Sequence, residues 1–141
     1  MWYNKFGIFN VLLLTQKKGE DNMANVLVVD DTAFMRMQIK QILVKEGHSM
    51  IGEAENGIEA VEQFQKLKPD VVILDITMPK MDGIEALKKI KEIDPDSKVI
   101  ICSAVGYQEM LAKAMQCGAE TFIVEPFEAE HLIKAVNKVM G

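Results

Sequence analysis

Val71-Val72-Ile73-Leu74-Asp75-Ile76-Thr77-Met78-Pro79 is the stretch from which the fold can be inferred. Four apolar residues precede one carboxylate, and an apolar run without polar alternation is typical of a strand covered on both faces. A carboxylate at the end of such a strand is costly to leave dry and unpaired. In open α/β sheets this edge is also where ligands bind. The stretch therefore predicts a central parallel strand that delivers Asp75 to a binding edge.

A second apolar run, Val26-Leu27-Val28-Val29, ends in two more carboxylates, Asp30 and Asp31. If the two strands are neighbours, three acids lie on one edge of the sheet. Such a set can hold a hard divalent cation, while one acid remains available as a nucleophile.

Apolar runs and amphipathic segments alternate along the rest of the chain, with short connections between them. The predicted strands are 25–30, 49–54 (weaker, at an edge), 70–75, 98–103 and 120–124; the predicted helices are 32–46, 56–67, 84–93, 107–117 and 127–140. This order predicts an α/β fold with a doubly wound, mostly parallel five-stranded sheet and right-handed crossovers.

Helix periodicity and end signals add detail to the first two helices. The expected caps are Thr32, Gly47 and Asn56. The residues expected to face inward are Phe34, Met35, Ile39, Ile42 and Leu43 in the first helix, and Ile58, Ala60, Val61 and Phe64 in the second. Both histidines, His48 and His131, are expected at the surface.

Length and charge limit the class of protein. The chain has 141 residues, 49% of them apolar, and a net charge of −5, which fits one globular domain. Without residues 1–22 the chain has 13 basic and 19 acidic residues, a net charge of −6. This sign argues against nucleic acid as a partner, since phosphate contacts need clustered Lys or Arg.

Cys102 and Cys117 lack ligand-spaced neighbours and are expected to be reduced, as in the cytoplasm.

Residues 1–22 differ in composition from the rest of the chain, and three interpretations stay open. The first interpretation is a targeting signal, but no small-residue cleavage site follows the apolar stretch. That stretch is also too short to span a membrane. The extension could be genuine. Alternatively, Lys17-Lys18-Gly19-Glu20 reverse-translates to a purine-rich stretch of the kind that precedes a bacterial start codon, which would make Met23 the start. We expect residues 1–22 to be a non-domain extension and residues 23–141 to be the domain.

Several strings in this order resemble the receiver domain of bacterial response regulators, in particular the single-domain, CheY-like chemotaxis receivers. The matching strings are Val-Val-Asp-Asp at 28–31, Leu-Asp-Ile-Thr-Met-Pro at 74–79, Asp-Gly at 82–83, Cys-Ser-Ala at 102–104, Gly-Ala at 118–119 and Pro-Phe at 126–127. Each string alone is weak, but together and in this order they are specific, and the resemblance covers residues 24–140. The resemblance implies a flavodoxin-like fold with strand order 2-1-3-4-5.

The resemblance also implies roles for the acids. Asp75 would accept a phosphoryl group from the phosphohistidine of a sensor histidine kinase. Asp31, Asp75 and the backbone carbonyl of Thr77 would ligate Mg²⁺, with Asp30 acting mostly through water. Ser103 would turn its hydroxyl toward a phosphoryl oxygen.

The implied function is signalling through protein contacts rather than metabolic catalysis, with modest autophosphorylation and autodephosphorylation. The face formed by the fourth helix, fifth strand and fifth helix would contact the output partner, such as the flagellar motor switch. Phe122 occupies the position of the family's switch aromatic, although an apolar strand residue is first interpreted as packing. No nucleic acid or membrane partner is expected.

One residue departs from the family pattern. The family carries a lysine before the last proline, and this chain carries Glu125. A glutamate there reverses the charge and removes every hydrogen-bond donor. Its side chain could swing to solvent, join the cation site or disable phosphorylation-dependent signalling. The last outcome leaves an alternative function, a pseudo-receiver that binds partners without switching.

Overall fold

A computed structural model describes residues 23–76, 78 and 81–141, and strands and helices alternate through these residues. The elements are β1 (Asn25–Val29), α1 (Ala33–Lys45), β2 (Ser49–Ala54), α2 (Gly57–Leu67), β3 (Val71–Asp75), α3 (Gly83–Ile93), β4 (Lys98–Ala104), α4 (Gln108–Gln116), β5 (Thr121–Glu125) and α5 (Ala129–Met140). They agree with the predicted elements to within one or two residues at most ends. The predicted extension at 1–22 and the predicted ligand Thr77 lie outside the described residues.

The five strands form one parallel sheet in the order β2-β1-β3-β4-β5, as predicted. The weaker strand, β2, lies at one edge. The two strands that carry acids, β1 and β3, are neighbours, and Val29 lies opposite Leu74. Residues that follow these two positions therefore meet at the carboxyl edge of the sheet.

Alternate residues of the strands feed two apolar layers. Leu27 and Val72 pack with α2, α3 and α4 on one face, whereas Val28 and Ile73 pack with α1 and α5 on the other. Both faces are covered, which is why the strands consist of continuous apolar runs.

The predicted helix caps are present. The Thr32 hydroxyl accepts the Met35 N–H at 3.4 Å, and the Asn56 side chain accepts the Glu59 N–H at 3.0 Å. Gly47 follows α1 with a φ of +87°, a conformation that favours glycine. Thr32, the cap of α1, directly follows Asp30 and Asp31, so this cap helps to fix the loop that carries both acids.

Three predictions about burial were wrong. Phe34 and Ile58, expected to face inward, are 69% and 46% exposed, because each lies one residue outside the stripe through which its helix contacts the sheet. Phe122, first interpreted as packing, is 44% exposed, because it points away from the layer that contains its neighbour Ile123. These side chains enlarge the apolar surface rather than the core.

His48 also differs from its prediction. It is buried rather than exposed, and its Nδ1 accepts the backbone N–H of Ala24 at 3.0 Å. The contact joins the start of β1 to the start of β2 and satisfies a buried donor. His131 is exposed, as predicted.

In the described part of the chain, no helix combines the length and apolar character needed to cross a membrane.

Candidate functional site

Three carboxylates meet at the carboxyl edge of the sheet. Asp30 and Asp31 follow β1, and Asp75 is the last residue of β3. Each offers an oxygen that lies within 4.8 Å of the oxygens offered by the other two. Asp30 is buried, Asp75 is partly buried and Asp31 is exposed. The structure thus brings together the three acids that the strand ends predict to be close.

Asp30 is the most firmly positioned of the three acids. Its carboxylate accepts the Thr32 N–H at 2.9 Å and the Thr32 hydroxyl at 3.0 Å. Its backbone N–H donates to the Ala54 carbonyl at 3.0 Å, and its own carbonyl accepts from Arg36 at 2.7 Å. Burial raises the pKa of Asp30, and the Thr32 hydrogen bonds oppose that rise, while Asp31 adds to it. The side chain is therefore fixed before any ligand arrives.

Arg36 connects this end of β1 to the neighbouring strand. Its Nε lies 2.6 Å from a carboxylate oxygen of Glu53, and its Nη1 donates to the Asp30 carbonyl. The Arg36 side chain is mostly buried, whereas that of Glu53 is about half exposed, so the pair is held in place mainly from the Arg36 side. Sequence reasoning missed this contact because it depends on the pairing of β1 with β2.

The start of α3 approaches the end of β3 closely at Gly83. A methyl group at Gly83 would overlap the Asp75 carbonyl oxygen and the Ile76 Cα. Asp82 caps the same helix by accepting the Glu85 N–H at 2.8 Å. The Asp82-Gly83 pair therefore has a structural role, which is to bring the helix against the backbone of Asp75.

Ser103 and Ala104 end β4 beside the acids. Ser103 is buried, and its hydroxyl donates to the Ala104 carbonyl at 3.0 Å. Ala104 is exposed and pairs with Glu125 across the strands. The small side chain of Ala104 is exposed at this edge. A role for Ser103 in binding a phosphoryl oxygen stays a prediction, because its hydroxyl is directed at a carbonyl here.

Cys102 lies directly beneath the acids. It is buried and pairs with Asp75 across β3 and β4. Burial raises the pKa of its thiol well above the usual value, and the carboxylates of Glu125, Asp75 and Asp30 raise it further. The sulfur is therefore a neutral thiol that packs under the site.

Glu125 lies at the end of β5, next to a cis peptide bond to Pro126. Its side chain is partly buried, so it does not swing fully into solvent. Burial raises its pKa, and the charges of Asp30 and Asp31 raise it further. It lies outside the three-acid group whose oxygens are within 4.8 Å of each other. The fourth acid thus borders the cluster without joining it.

A cleft of about 870 Å³ runs between α1 and α5 and reaches Glu125. Its lining residues include Met35, Ile42, Phe127 and Ile133 as apolar walls, and Lys45, Glu46, Glu130 and Lys134 as charged margins. Sequence patterns gave no sign of this cleft, because it forms between helices that are far apart in the chain. The volume is within the range of small-ligand and peptide-anchor sites.

The donor set at the acid cluster fits a hard divalent cation. Three carboxylates supply oxygen ligands only, and the exposure of Asp31 leaves room for retained water. These are the ligands that Mg²⁺ prefers, since it dehydrates reluctantly.

Comparisons with known proteins agree with this geometry. Residues 26–137 match the response regulator receiver domain family. The chain is 55% identical to chemotaxis protein CheY of Bacillus subtilis (strain 168) over 116 residues, 82% of this chain and 97% of that protein. It is 54% identical to chemotaxis protein CheY of Thermotoga maritima over 114 residues, covering 81% and 95%.

The fold is also that of a solved relative, the CheX–CheY–BeF₃–Mg²⁺ complex from Borrelia burgdorferi. The match has a TM-score of 0.79 and 41% identity, and it covers 83% of this chain and 89% of that chain. The family match, the curated relatives and the strand order point to one conclusion: this chain belongs to the response regulator receiver domain family and is a CheY-like receiver.

Proposed function

We propose that this receiver takes a phosphoryl group on Asp75 from a sensor histidine kinase and passes the signal on by protein contact. The carrying observation is the position of Asp75, a partly exposed carboxylate at the end of β3 with an oxygen within 4.8 Å of oxygens of Asp30 and Asp31. Acids this close repel one another and favour a bound cation. A nucleophilic carboxylate beside a cation site is the arrangement that phosphoryl transfer needs.

The residues proposed to hold Mg²⁺ are Asp31, Asp75 and the carbonyl of Thr77, with Asp30 acting through water. When bound, the cation would neutralise negative charge on the transferred phosphoryl group. Thr32 and Arg36 would keep Asp30 in place through the contacts described above. Ser103 would bind a phosphoryl oxygen after a rotation of its hydroxyl.

The proposed transfer has a simple balance. A carboxylate oxygen of Asp75 attacks phosphorus and forms a new O–P bond while the P–N bond of the phosphohistidine breaks. The electron pair of that bond stays on the imidazole nitrogen, and the product is an acyl phosphate. The chain contributes a nucleophile and its positioning, so it acts as a signalling protein rather than as a metabolic enzyme.

The proposed pathway is chemotaxis, in keeping with curated relatives that are chemotaxis proteins. The proposed partners are a sensor kinase and an output protein such as the flagellar motor switch. Phe122 and Val124 on β5 are exposed apolar side chains and form part of the proposed output face. The free cysteines agree with a proposed cytoplasmic location. We further propose that residues 23–141 are the functional domain.

A second candidate is a pseudo-receiver that keeps the fold and the metal site but does not switch. The observation that favours it is Glu125, which adds a negative charge beside the acids where the family has a lysine. Phosphorylation adds further negative charge, and a carboxylate at position 125 supplies no attraction to it.

Labelling with acetyl phosphate tests the phosphoryl acceptance that the first candidate requires. With Mg²⁺ present, we expect intact-mass analysis to show one added phosphoryl group on the wild-type chain, with acetate as the leaving group, and none on Asp75→Asn. The exposed surface variant Glu92→Gln serves as the matched control and should label like the wild type. A wild-type chain that binds Mg²⁺ but stays unlabelled would favour the pseudo-receiver.

A further inference from the structure

The cleft between α1 and α5 has apolar walls and an acidic end. Met35 and Ile42 line it from α1, and Phe127 and Ile133 line it from the opposite side. Glu125 lines the cleft at the carboxyl edge of the sheet, the edge that also carries the acid cluster. A side chain that is apolar along its length and charged at its tip would match both features.

Glu125 has no cation beside it in the described part of the chain. The ion pairs found there join Arg36 to Glu53 and Lys91 to Glu120. Lys45 and Lys134 border the same cleft, yet neither forms an ion pair with Glu125. A partly buried carboxylate without a hydrogen-bonding cation is unfavourable, and it becomes more stable once one arrives.

The electrostatic surroundings of Glu125 also favour a cation. Asp30 and Asp31 lie close enough that their charges raise the pKa of Glu125. The potential at this end of the cleft is therefore negative, and an entering positive charge gains from all three carboxylates.

We propose that the cleft receives a segment of a protein partner that bears a Lys or Arg side chain, and that this cation pairs with Glu125. A primary ammonium or a guanidinium on an aliphatic stem has the required chemistry. The ion pairs of the described residues do not include Glu125, so the partner would supply the cation from outside.

The neighbouring surface favours a protein over a free amine. A second, shallower cleft of about 460 Å³ shares Pro126 and Lys134 with the first. It exposes Phe122 and Val124, which are 44% and 38% accessible. A small amine would leave this apolar surface uncovered, whereas a peptide segment would cover both clefts at once.

The partner's cation would also meet the charge of a phosphoryl group on Asp75. That part of the inference rests on the proposed function, whereas pairing with Glu125 does not. The first test therefore omits phosphodonor, so that loss of peptide binding and loss of Asp75 labelling are separate results.

The test uses the full chain and two synthetic probes, N-acetyl-leucyl-lysine amide and its uncharged counterpart N-acetyl-leucyl-norleucine amide. Backbone amide shifts of Phe127 and Ile133 report occupancy of the cleft during titration. We expect the lysine probe to bind about tenfold more tightly than the norleucine probe, the ratio set by one charge-assisted hydrogen bond. Butylammonium chloride alone should bind more weakly than the lysine probe.

Two variants and one control make the result specific to Glu125. Glu125→Gln keeps the shape of the side chain and should remove the tenfold preference, and Glu125→Lys should reverse it. Glu130→Gln, a change of an exposed acid at the rim of the same cleft, should preserve most of the preference. Equal binding of the two probes to the wild type, or an unchanged preference in Glu125→Gln, would overturn the proposal. Binding of butylammonium as tight as that of the lysine probe would overturn the choice of a protein occupant.

Discussion

Two parts of the carboxyl edge carry acids in very different surroundings. At the ends of β1 and β3, Asp30 is held by Thr32 and Arg36 and lies beside Asp31 and Asp75. At the end of β5, the Glu125 carboxylate has no hydrogen bond or ion pair to another side chain within the described residues. The first group is positioned by the protein itself, whereas the second is left without a counter-charge.

This difference separates phosphoryl acceptance from the response to it. The β1 and β3 ends contain the groups proposed for cation binding and for attack on phosphorus. The β5 end would sense the added charge. The residue at position 125 matters for the response because a ligand shifts a two-state equilibrium only through its differential affinity for the two states. Under the proposed function, Glu125 would repel a phosphoryl group on Asp75, so we expect this chain to accept the group normally and to respond weakly by itself.

The largest expected effect is on the backbone that carries Asp75. Gly83→Ala places a methyl group against the Asp75 carbonyl, so α3 or the end of β3 must move. We expect the free energy of unfolding to fall by about 3 kcal/mol, the upper end of the usual range for overpacking, because the atoms in the way belong to the backbone. Urea denaturation followed by circular dichroism measures the change.

Gly106→Ala is the control for this prediction. Gly106 has a φ of +102° but no atom near its missing side chain, so alanine there costs backbone strain without overlap. We expect a loss of about 1 kcal/mol. A Gly83→Ala loss no larger than this would mean that α3 does not hold the end of β3.

The second prediction removes one acid of the cluster. Asp31→Ala deletes an exposed carboxylate that is proposed to bind Mg²⁺, without opening a cavity. The fold should therefore persist while Mg²⁺ affinity falls at least about tenfold. Calorimetric titration with Mg²⁺ measures affinity, and thermal melts should show that millimolar Mg²⁺ stabilises the wild type but not the variant. Glu125→Gln provides the contrast, and an equal loss of Mg²⁺ affinity there would place Glu125 among the ligands.

Much of the β1 and β3 side of this comparison could be predicted from sequence. Apolar runs that end in acids define both the strands and their carboxyl ends, and parallel topology brings those ends together. Thr32 was recognisable as a helix cap before its second role, as a donor to Asp30, was visible. The acids of the candidate site can therefore be identified from the predicted strand ends alone.

Features that depend on packing between distant elements could not be predicted in this way. His48 was assigned to the surface, but the register of β1 against β2 places it where it accepts the Ala24 N–H. The cleft that ends at Glu125 depends on the spacing of α1 and α5. Phe122 is exposed because β5 is an edge strand with one incompletely covered face. The periodicity of apolar residues within one element gives no information on how that element packs against distant ones.

The third prediction changes the β5 end into the family pattern. Glu125→Lys should supply an attractive partner for the added charge on Asp75, so the conformational response should grow several-fold. The measurement compares backbone amide shifts of Phe122 and Val124 before and after addition of beryllofluoride with Mg²⁺, in both chains. A wild-type chain that responds as fully as the variant would mean that another basic group already meets this charge.

The smallest expected effect concerns stability and pH. Because the pKa of Glu125 is raised from its usual 4.5 by burial and by Asp30 and Asp31, the folded state holds this proton more tightly than the unfolded state. The wild type therefore loses stability as the pH rises through the interval between 4.5 and the raised value. Glu125→Gln removes this loss and should be more stable at pH 7 by roughly 0.5–1 kcal/mol, a typical size for a partly exposed like-charge contact. Below pH 4 the two chains should converge, since both carry a neutral group there.

Urea titrations at a series of pH values without Mg²⁺ provide the test, with Glu130→Gln as the control, for which we expect a change within about 0.5 kcal/mol. A constant difference between Glu125→Gln and the wild type across this pH range would show that the substitution acts through packing rather than through charge.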